Sequence, residues 1–412
     1  MLTQPNVVIV GGGPAGLTAA AALAPRVDGS VLVLEREGEA GGIPRHSDHT
    51  GYGIRDRHRL MRGPAYARSL VDNAVRRGAV IETHAMVTGW TADGRLQVTA
   101  PSGRFEIDAP TVVLATGARE RPRAARLVAG DRPAGVYTTG QLQNLVHVQG
   151  AAVGKRAVIV GAELVSWSAA LTLRHAGCQV AAMLTEFPKS DTYAAVRALG
   201  RIGLRMPVRA HSTIVRINGR GRVESVDVRD ERTGAVENLA CDTVIFTADW
   251  IPDNELARLG GIDIDPGTKG PVVDTSLRTS TDGVFAIGNL LHPVDTADVA
   301  ALDGRHVARF VLDHLAKKPV DGGGSVAVTA RHPLTWIAPQ RLSTRHRPPR
   351  GYFSAWSSEL IRTPTVVVRQ GGEEIARRRL LWPAAPGRIL RIPASVFDDV
   401  DFERGTVDLS IH

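Results

Sequence analysis

Three glycines near the amino terminus have the spacing of a phosphate-binding turn. Gly11, Gly13 and Gly16 fill the glycine positions of the pattern G-x-G-x-x-G in the segment GGGPAG. The first glycine permits the tight turn, the second lets the backbone approach a pyrophosphate, and the third lets a helix pack closely on a strand. Glu35 follows about 20 residues later, where a carboxylate binds an adenosine ribose. These residues predict a dinucleotide site.

The sequence on either side of the turn predicts the elements that position it. NVVIV is a β-branched run typical of a strand, LTAAAALA is a strong helix former, and VLVLE is a second strand that ends at Glu35. A helix that begins at the glycine turn presents free N–H groups and the positive end of its dipole to the phosphates. The order of strand, turn, helix and strand therefore supports the site.

A second segment repeats this order but not its glycines. RAVIVGAELVSWSAALTLRHAGCQVAAMLTE reads as strand, turn, helix and strand, with Glu186 at the ribose position. Counted from Gly161, the second glycine position holds Glu163 and the third holds Ser166. A carboxylate about 4 Å from a phosphate is repelled by roughly 4 kcal/mol at an effective dielectric near 20. We expect NAD(P) binding to be weakened or lost here. The alternative is that Glu163 points to solvent and a shifted pose survives.

Composition limits the class of protein. The chain has 412 residues, of which 43% are hydrophobic, enough for two or three domains. It has no apolar run of about 18 residues, and its amino terminus enters a strand without a basic region or cleavage site. We therefore expect a cytoplasmic protein without a membrane span. The net charge of +8 is spread along the chain and only 5% of residues are aromatic, so nucleic-acid binding is not expected.

Three ordered motifs carry a resemblance to a known family. The GGGPAG turn with Glu35, ATG at residues 115–117 and DGVFAIGN at residues 282–289 resemble the two-domain flavoproteins of the pyridine nucleotide–disulfide oxidoreductase superfamily. The resemblance covers about residues 5–318. It implies FAD and an α/β fold with two Rossmann-like three-layer dinucleotide-binding domains. The implied domains are the FAD-binding domain at 1–122 and 249–318 and the inserted NAD(P)-binding-like domain, with its altered glycine motif, at 123–248. The β-rich runs beyond residue 318 predict a further small β-rich C-terminal domain at 325–412.

The resemblance also implies which residues bind FAD. Asn289 replaces the aspartate usual in the family, but its amide oxygen can still accept a hydrogen bond from a ribityl hydroxyl. Val299 and Ala300, at the start of an apolar helix, would direct N–H groups at the pyrimidine edge of the flavin, although core packing also explains that helix. The residues expected to contact FAD are Gly11, Gly13, Pro14, Ala15, Gly16, Glu35, Arg36, Gly42, Val87, Ala115, Thr116, Gly117, Gly288, Asn289, Val299 and Ala300.

The disulfide chemistry of the family needs a redox cysteine pair beside the flavin. One branch has its pair after a glycine turn such as residues 41–42, where this chain has Pro44 and His49; the other has it near a stretch like GVYTTGQLQ, which has no cysteine. Cys178 and Cys241 read as buried small hydrophobes. We therefore do not expect a disulfide reductase. Two cysteines are also too few for an iron–sulfur cluster, and no metal site is expected.

The segment GGIPRHSDHTGYGIRDRH resembles a narrower group. Flavoprotein subunits of dehydrogenases and oxidases acting on amines, opines, proline or sarcosine, and of the cyanide-forming glycine oxidase assembly, have a similar GGxPRH turn, a similar GAE turn and GN in place of GD. Ser47 departs from the cysteine common there. Oxidation of a C–N bond needs a base, which suggests His46 and His49 as catalytic residues. Arg45 could bind a substrate carboxylate. Structural hydrogen bonding or surface exposure is the alternative for each histidine.

Beyond residue 318 the sequence changes character. AKKPVDGGGSVAV reads as a linker, and TPTVVVRQ, two glycines and EEIARRRLL predict a hairpin. GRILRIPASVF and GTVDLSIH predict further strands, so this part should be a small β-sandwich or an open sheet. The basic stretch RHPLTWIAPQRLSTRHRPPR could dock an acidic partner, cover the flavin domain or face solvent.

Three classes of function remain open. The leading one is an FAD-dependent dehydrogenase or oxidase component that oxidises a small amine or amino acid, or relays electrons for a partner flavoprotein or electron-carrier subunit. The second is an NAD(P)H-dependent flavin or ferredoxin reductase, which an intact glycine pattern at residues 161–166 would have favoured. The third is a scaffold without catalysis.

Overall fold

The computed structural model describes residues 3–188, 207–318, 324–343 and 346–412. Residues 319–323 of the predicted linker and 344–345 of the basic stretch lie outside the described residues. The helices of the described part are α1 (Pro14–Leu23), α2 (Gly63–Arg76), α3 (Thr139–Gln143), α4 (Leu164–His175), α5 (Glu255–Leu259) and α6 (Ala297–Leu315).

The strands of the described part fall into three stretches of the chain. Before residue 121 they are β1 (Val7–Val10), β2 (Val31–Leu34), β3 (Thr50–Tyr52), β4 (Met61–Arg62), β5 (Val80–Glu82), β6 (Met86–Trp90), β7 (Leu96–Ala100), β8 (Gly103–Ile107), β9 (Thr111–Leu114) and β10 (Ala118–Glu120). Up to residue 286 they are β11 (Ala129–Gly130), β12 (Val136–Thr138), β13 (Arg156–Val160), β14 (Gln179–Leu184), β15 (Val208–Arg209), β16 (Ser212–Asn218), β17 (Ser225–Asp230), β18 (Val236–Ala240), β19 (Thr243–Phe246), β20 (Trp250–Pro252) and β21 (Val284–Ala286). The last are β22 (Ser325–Ala330), β23 (Leu334–Ala338), β24 (Arg341–Ser343), β25 (Tyr352–Ser357), β26 (Thr365–Gln370), β27 (Glu373–Arg379), β28 (Leu390–Pro393) and β29 (Val407–Ile411).

The amino-terminal strand, turn, helix and strand form as the sequence predicts. β1 is the central strand of a five-stranded parallel sheet in the order β21-β9-β1-β2-β5. All residues of β1, β2 and β9 are buried, which explains their continuous apolar sequences, since parallel sheets are covered on both faces. Helix α1 packs against α6, and Gly304 permits this close approach because a Cβ there would lie 2.3 Å from the Ala15 carbonyl oxygen.

The segment AVIETHAMVTGW, which reads as one strand in the sequence, is two strands. β5 is the edge strand of the parallel sheet, whereas β6 belongs to a three-stranded antiparallel sheet with β7 and β8. The chain turns between them at His84, whose φ of 53° lies in the left-handed region. Within this sheet β7 pairs with both β6 and β8, and the next strand, β9, belongs to the parallel sheet.

The second parallel sheet has the order β12-β19-β13-β14-β15. β13, α4 and β14 are the strand, helix and strand expected around the altered glycine turn. A four-stranded sheet, β11-β16-β17-β18, accompanies it. The α/β fold with two Rossmann-like parallel sheets is therefore confirmed.

The C-terminal region is a two-sheet structure with one core. A five-stranded sheet, β24-β22-β29-β26-β27, and a three-stranded sheet, β23-β25-β28, contribute to a shared set of buried apolar residues that includes Phe353, Val366 and Leu409. The expected hairpin joins β26 to β27, and its turn glycines Gly371 and Gly372 have φ angles of 58° and 86°. The sandwich alternative is the one that forms.

The chain divides into two compact units. The first unit comprises residues 1–45, 51–118 and 252–412, and the second comprises residues 46–50 and 119–251. The C-terminal sheets thus belong to the first unit with the amino-terminal sheet. Among the described residues, no helix has the length and apolar character needed to cross a membrane.

Candidate dinucleotide-binding site

The first glycine turn is closed by contacts that only glycine permits. Gly11 has a φ of 112°, and a Cβ at this position would lie 2.4 Å from the Ala115 carbonyl oxygen. A Cβ at Gly16 would lie 2.0 Å from the carbonyl oxygen of Gly11. The ATG segment therefore packs directly on the glycine turn, and the steric roles expected of Gly11 and Gly16 are visible in the backbone.

The middle of the turn is open. Within 4 Å, a Cβ at Gly13 would meet only the Cα of Gly42, at 4.0 Å, among the atoms of the described chain. Gly42, with a φ of 61°, lies close on the other side, because its own Cβ would be 2.9 Å from the Gly13 Cα. The helix α1 begins with Pro14 at this point. The cradle therefore leaves room for a group to approach backbone N–H groups closely.

Gly288 and Ala300, two more of the residues expected to contact FAD, lie close to one another at the start of α1. A Cβ on Gly288, whose φ is 71°, would lie 2.8 Å from the Cβ of Ala15 and 3.5 Å from that of Ala300. The structure thus brings the GN turn of residues 288–289 to the glycine turn, although the two are separated by most of the chain. Val87 is half-buried on β6 and packs against the apolar core, and its expected contact with FAD stays a prediction.

Glu35 is oriented by two backbone hydrogen bonds. It is 8% exposed, and its carboxylate accepts the N–H of Gly12 and that of Glu37, both at 2.9 Å. An oriented carboxylate next to the turn can accept ribose hydroxyls with its remaining lone pairs. Arg36 is mostly exposed and lies 3.5 Å from Asp253. Thr116 and Gly117 are joined to the same residue, through Thr116 Oγ1 to the Asp253 carbonyl at 2.7 Å and through Asp253 N–H to the Gly117 carbonyl at 2.9 Å.

Asn289 carries a buried acceptor that the described protein atoms do not use. Its Nδ2 donates to the Asp295 carbonyl at 2.9 Å, which fixes the amide orientation. Its Oδ1 is buried and has no hydrogen-bond partner among the described residues. An unmatched buried acceptor is costly unless a ligand satisfies it. The cradle and this oxygen fit FAD: the glycine turn would hold its pyrophosphate, and Asn289 Oδ1 would accept a hydrogen bond from a ribityl hydroxyl.

The backbone N–H groups of Val299 and Ala300, which were expected to face the flavin, make hydrogen bonds at the start of their own helix. Both donate to the Thr296 carbonyl at 3.0 Å, and Val299 N–H also contacts the buried Asp298 carboxylate at 3.0 Å. The helix α6 begins at Ala297, so these donors already lie within its first turn. The two donors expected to face the flavin are therefore occupied by protein acceptors.

Glu163 folds into the second glycine turn. Its Oε2 accepts the Ser166 hydroxyl at 2.8 Å and lies 3.3 Å from the Thr247 hydroxyl. A Cβ on Gly161 would be 2.8 Å from the same oxygen. The carboxylate is therefore directed inward over the turn, and not outward as in the solvent-facing alternative.

Arg45 is already paired with acidic side chains. Its guanidinium is 2.6 Å from Glu37 and 3.4 Å from Glu39, and the side chain is only 17% exposed. A substrate carboxylate would have to displace two protein carboxylates. The structure thus shows Arg45 in ion pairs with the loop before it, and its expected contact with a substrate carboxylate stays a prediction.

His49 belongs to a polar cluster in the second unit. Its Nδ1 is 2.7 Å from the Thr50 carbonyl oxygen, so Nδ1 carries the proton and Nε2 is the acceptor in the neutral ring. Nε2 is 2.7 Å from Ser168 Oγ and 3.0 Å from Ser47 Oγ. Gln143 Nε2 donates to both hydroxyls, at 2.7 and 3.2 Å. Because Ser168 accepts from Gln143, its own proton is available to His49.

Sequence reasoning missed Ser168 and Gln143, which lie far from His49 in sequence and belong to no motif. In the first unit it missed Asp56, which is 2% exposed, accepts the Tyr66 hydroxyl at 2.9 Å, and lies 3.5 Å from Arg57. Burial raises the pKa of Asp56 even though Tyr66 and Arg57 act in the opposite direction. Its place in the basic RDRH run was the only available signal. His46 is 8% exposed.

The two cysteines lie in separate cores. Cys178 is 3% exposed and packs in one apolar cluster of the second unit, and Cys241 is 4% exposed and packs in another. Burial raises the pKa of each thiol to about 11. Both are free thiols.

Comparison with known proteins gives several relatives. A thioredoxin reductase of Treponema pallidum is 28% identical over 330 residues, which cover 76% of this chain and 99% of that protein. An opine oxidase subunit of Rhizobium meliloti is 26% identical over 355 residues, which cover 79% of this chain and 64% of that protein. A ferredoxin–NADP reductase of Ignicoccus hospitalis is 24% identical over 311 residues, 74% of this chain and 96% of that protein.

The fold has counterparts among solved structures. Thioredoxin reductase of Lactococcus lactis superposes with a TM-score of 0.63 at 21% identity, covering 76% of this chain and 99% of that one. The model of the pyridine nucleotide-disulphide oxidoreductase family matches residues 5–304. Since this match spans most of the chain and includes both glycine turns and the 288–289 turn, the chain belongs to the pyridine nucleotide-disulphide oxidoreductase family.

Proposed function

We propose that this FAD-dependent oxidoreductase is a dehydrogenase or oxidase component that oxidises a small amine or amino acid, or relays electrons for a partner subunit that does so. Membership of an FAD-binding oxidoreductase family and the fit of the first cradle support the cofactor. The similarity to an opine oxidase subunit supports the substrate class. When bound, FAD supplies a two-electron acceptor; the chain supplies binding and orientation.

The observation that carries this proposal is the inward position of Glu163. Its carboxylate holds the Ser166 hydroxyl at 2.8 Å and lies over Gly161, where the family pattern requires open backbone. A pyrophosphate would have to break these contacts and approach a negative charge. We infer that electrons reach the flavin from a substrate other than a nicotinamide.

The cysteines support the exclusion of disulfide reduction. The relatives named thioredoxin reductase argue for that activity, but disulfide exchange needs an accessible thiolate. Cys178 and Cys241 are buried in different cores with pKa values raised to about 11, so neither supplies one near neutral pH.

His46 and His49 remain the proposed catalytic residues. The lone pair on His49 Nε2 faces the Ser168 hydroxyl at 2.7 Å, and the Thr50 carbonyl fixes the ring tautomer. A histidine held in this state can accept a proton from a substrate amine that replaces the serine contact. Arg45 is not included, because Glu37 and Glu39 occupy it.

The test uses the flavin-loaded chain, alone and together with proteins that co-purify with it. A panel of amines, amino acids and opines is assayed with a dye as electron acceptor. We expect dye reduction with at least one member of the panel. His84→Gln, at an exposed loop position, is the control for substitutions of His46 and His49. Failure of the whole panel in both preparations contradicts the proposal, and a protein that purifies colourless and takes up no FAD would favour a scaffold.

A second candidate is an NADP-dependent ferredoxin-type reductase. Two relatives, 24% and 26% identical, carry the name ferredoxin–NADP reductase, and they favour nicotinamide use. This candidate requires that Glu163 swing away from Ser166 and Thr247 when the dinucleotide binds. Rapid loss of the flavin's visible absorbance on mixing with NADPH, without amine turnover, would establish it over the first.

A further inference from the structure

A buried network of charged side chains surrounds the Gly288–Asn289 turn. Asp303 of α6 is fully buried, and its Oδ2 accepts the Gly288 N–H at 3.2 Å and His292 Nε2 at 2.6 Å. Asp295 is 8% exposed; its carbonyl accepts Asn289 Nδ2 at 2.9 Å, and its carboxylate lies 3.7 Å from His292 Nδ1. The Asp303 carboxylate therefore holds the backbone of the turn that is proposed to contact FAD, and the main-chain carbonyl of Asp295 holds its side chain.

The cations that balance these acids come from the C-terminal sandwich. Arg350 Nη1 donates to Asp303 Oδ1 and, at 3.3 Å, to the Val299 carbonyl. Arg391 Nη2 lies 3.4 Å from Asp295 Oδ1. Both residues lie beyond residue 304, where the match to the family ends. The network therefore connects a part of the chain outside that match to the cofactor turn inside it.

The position of Arg350 is closely determined. Its φ of 62° lies in the left-handed region, which non-glycine residues rarely adopt, and its side chain is only 13% exposed. The ring of Tyr352 faces both guanidinium groups, with centroid distances of 6.0 Å to Arg350 and 5.8 Å to Arg391. A residue that keeps an uncommon backbone conformation does so because its surroundings fix it.

The charges show why the arginine matters to the turn. Burial would raise the pKa of Asp303, but Arg350 and His292 outweigh it and hold that pKa below its ordinary value. Burial would likewise lower the pKa of His292, but Asp303 and Asp295 raise it above its ordinary value. Asp303 therefore stays ionised, and its carboxylate continues to accept the hydrogen bond from the Gly288 N–H. Without Arg350, a buried carboxylate would lose its closest cation, which is costly at a buried site.

We propose that Arg350, assisted by Arg391, is a positioning residue for FAD that acts through Asp303 and Asp295 on the Gly288–Asn289 turn. The C-terminal sandwich then stabilises the cofactor site through these two arginines. This inference rests on FAD binding at that turn and not on the substrate of the proposed function. A flavoprotein that oxidises no amine can therefore still support or refute it.

The experiment compares Arg350→Met and Arg350→Lys in the full-length chain. FAD affinity is measured by titrating apoprotein and following flavin fluorescence, and apoprotein stability is measured by thermal melting. We expect Arg350→Met to raise the FAD Kd at least about 10-fold, and Arg350→Lys to restore it to within about 3-fold of the wild type. Arg347→Met is the matched control: that arginine is exposed and pairs with Asp398, so its FAD Kd should stay within about 2-fold.

Two further measurements separate positioning from simple tethering. In a double-mutant cycle, removing the amide with Asn289→Ala should abolish most of the effect of Arg350→Met on FAD Kd, because both act on one turn. Arg391→Met, at a more exposed site, gives a second route if Arg350→Met does not fold, and it should weaken FAD about 3-fold. Unchanged FAD affinity in the arginine variants with a lowered melting temperature would overturn the proposal, as would full additivity with Asn289→Ala.

Discussion

Restoring the second glycine turn is the perturbation that bears most directly on nicotinamide binding. Glu163→Gln removes the charge and keeps the side-chain size, whereas Glu163→Gly removes both. The glutamate is half-exposed, and its Oε2 lies 2.8 Å from the Ser166 hydroxyl and 3.3 Å from the Thr247 hydroxyl. Only Glu163→Gly therefore frees the mouth of the turn, and comparison of the two variants separates the effect of charge from that of bulk.

The expected size follows from Coulomb's law. A phosphate about 4 Å from the carboxylate is repelled by roughly 4 kcal/mol at an effective dielectric near 20. Partial exposure and salt reduce this to about 1.5–3 kcal/mol, so Glu163→Gln should tighten NADPH or NADH binding roughly 10- to 100-fold. Glu163→Gly should gain more, because the backbone around Gly161 becomes accessible. The wild type should bind with a Kd weaker than about 1 mM.

The assay is calorimetric titration of the FAD-loaded protein with each nicotinamide dinucleotide at low salt. Glu237→Gln is the control, since that glutamate is also in the second unit but pairs with Arg209 at the surface; its affinity should match the wild type. Repeating the titration at higher salt should narrow the gap between wild type and Glu163→Gln. Micromolar binding by the wild type, or equal affinities for wild type and Glu163→Gln, would show that the Glu163 carboxylate does not oppose dinucleotide binding.

Three more outcomes are expected from substitutions at other sites. Asn289→Ala should raise the FAD Kd about 10-fold, since it removes the only hydrogen bond proposed for the ribityl chain at this position; flavin fluorescence titration measures it, and an unchanged Kd would contradict that role. Burial raises the pKa of Glu120 to about 7, although Gly140 N–H, at 2.8 Å, acts in the opposite direction. Since this pKa is above the unfolded value, the stability it contributes is present below about pH 4.5 and lost as pH rises through about 7. Between pH 4.5 and pH 8 the wild type should therefore lose about 3 kcal/mol of unfolding free energy that Glu120→Gln does not lose. Urea unfolding of both proteins at the two pH values measures this. A difference between the two proteins that does not change with pH would disprove the prediction. Replacing His46 and His49 together by glutamine should reduce amine turnover at least about 100-fold with FAD affinity unchanged; full turnover would exclude both as catalytic residues.

The glycine turns could be predicted because their requirements are local. Gly11 and Gly16 sit where any Cβ would collide with a carbonyl oxygen, and a short motif encodes that need. The hairpin glycines Gly371 and Gly372 are another local case. His84 was missed because the alternating pattern of its segment is typical of a single strand, and one left-handed residue can divide it without changing that pattern.

The contacts between distant segments could not be predicted. Arg45 has the right type to bind a carboxylate, but only the folded loop shows that Glu37 and Glu39 already occupy it. The pairing of Asp303 with Arg350 joins the flavin-binding part to the C-terminal sandwich, and nothing in either sequence segment marks the other as its partner. The contacts of the Val299 and Ala300 N–H groups with the Thr296 carbonyl could not be foreseen either, because the sequence does not fix where the helix begins; their expected contact with the flavin stays a prediction.

Anaerobic mixing of the FAD-loaded wild type with NADPH, and separately with NADH, shows directly whether a nicotinamide reduces the flavin. The flavin's visible absorbance is followed from milliseconds to minutes. We predict that it stays unchanged over seconds with both dinucleotides and falls when a small amine or amino acid from the active panel is added. Complete loss of this absorbance within the first second at micromolar NADPH or NADH would show that a nicotinamide bound at the second turn reduces the flavin. That result would contradict the inference that electrons come from another substrate.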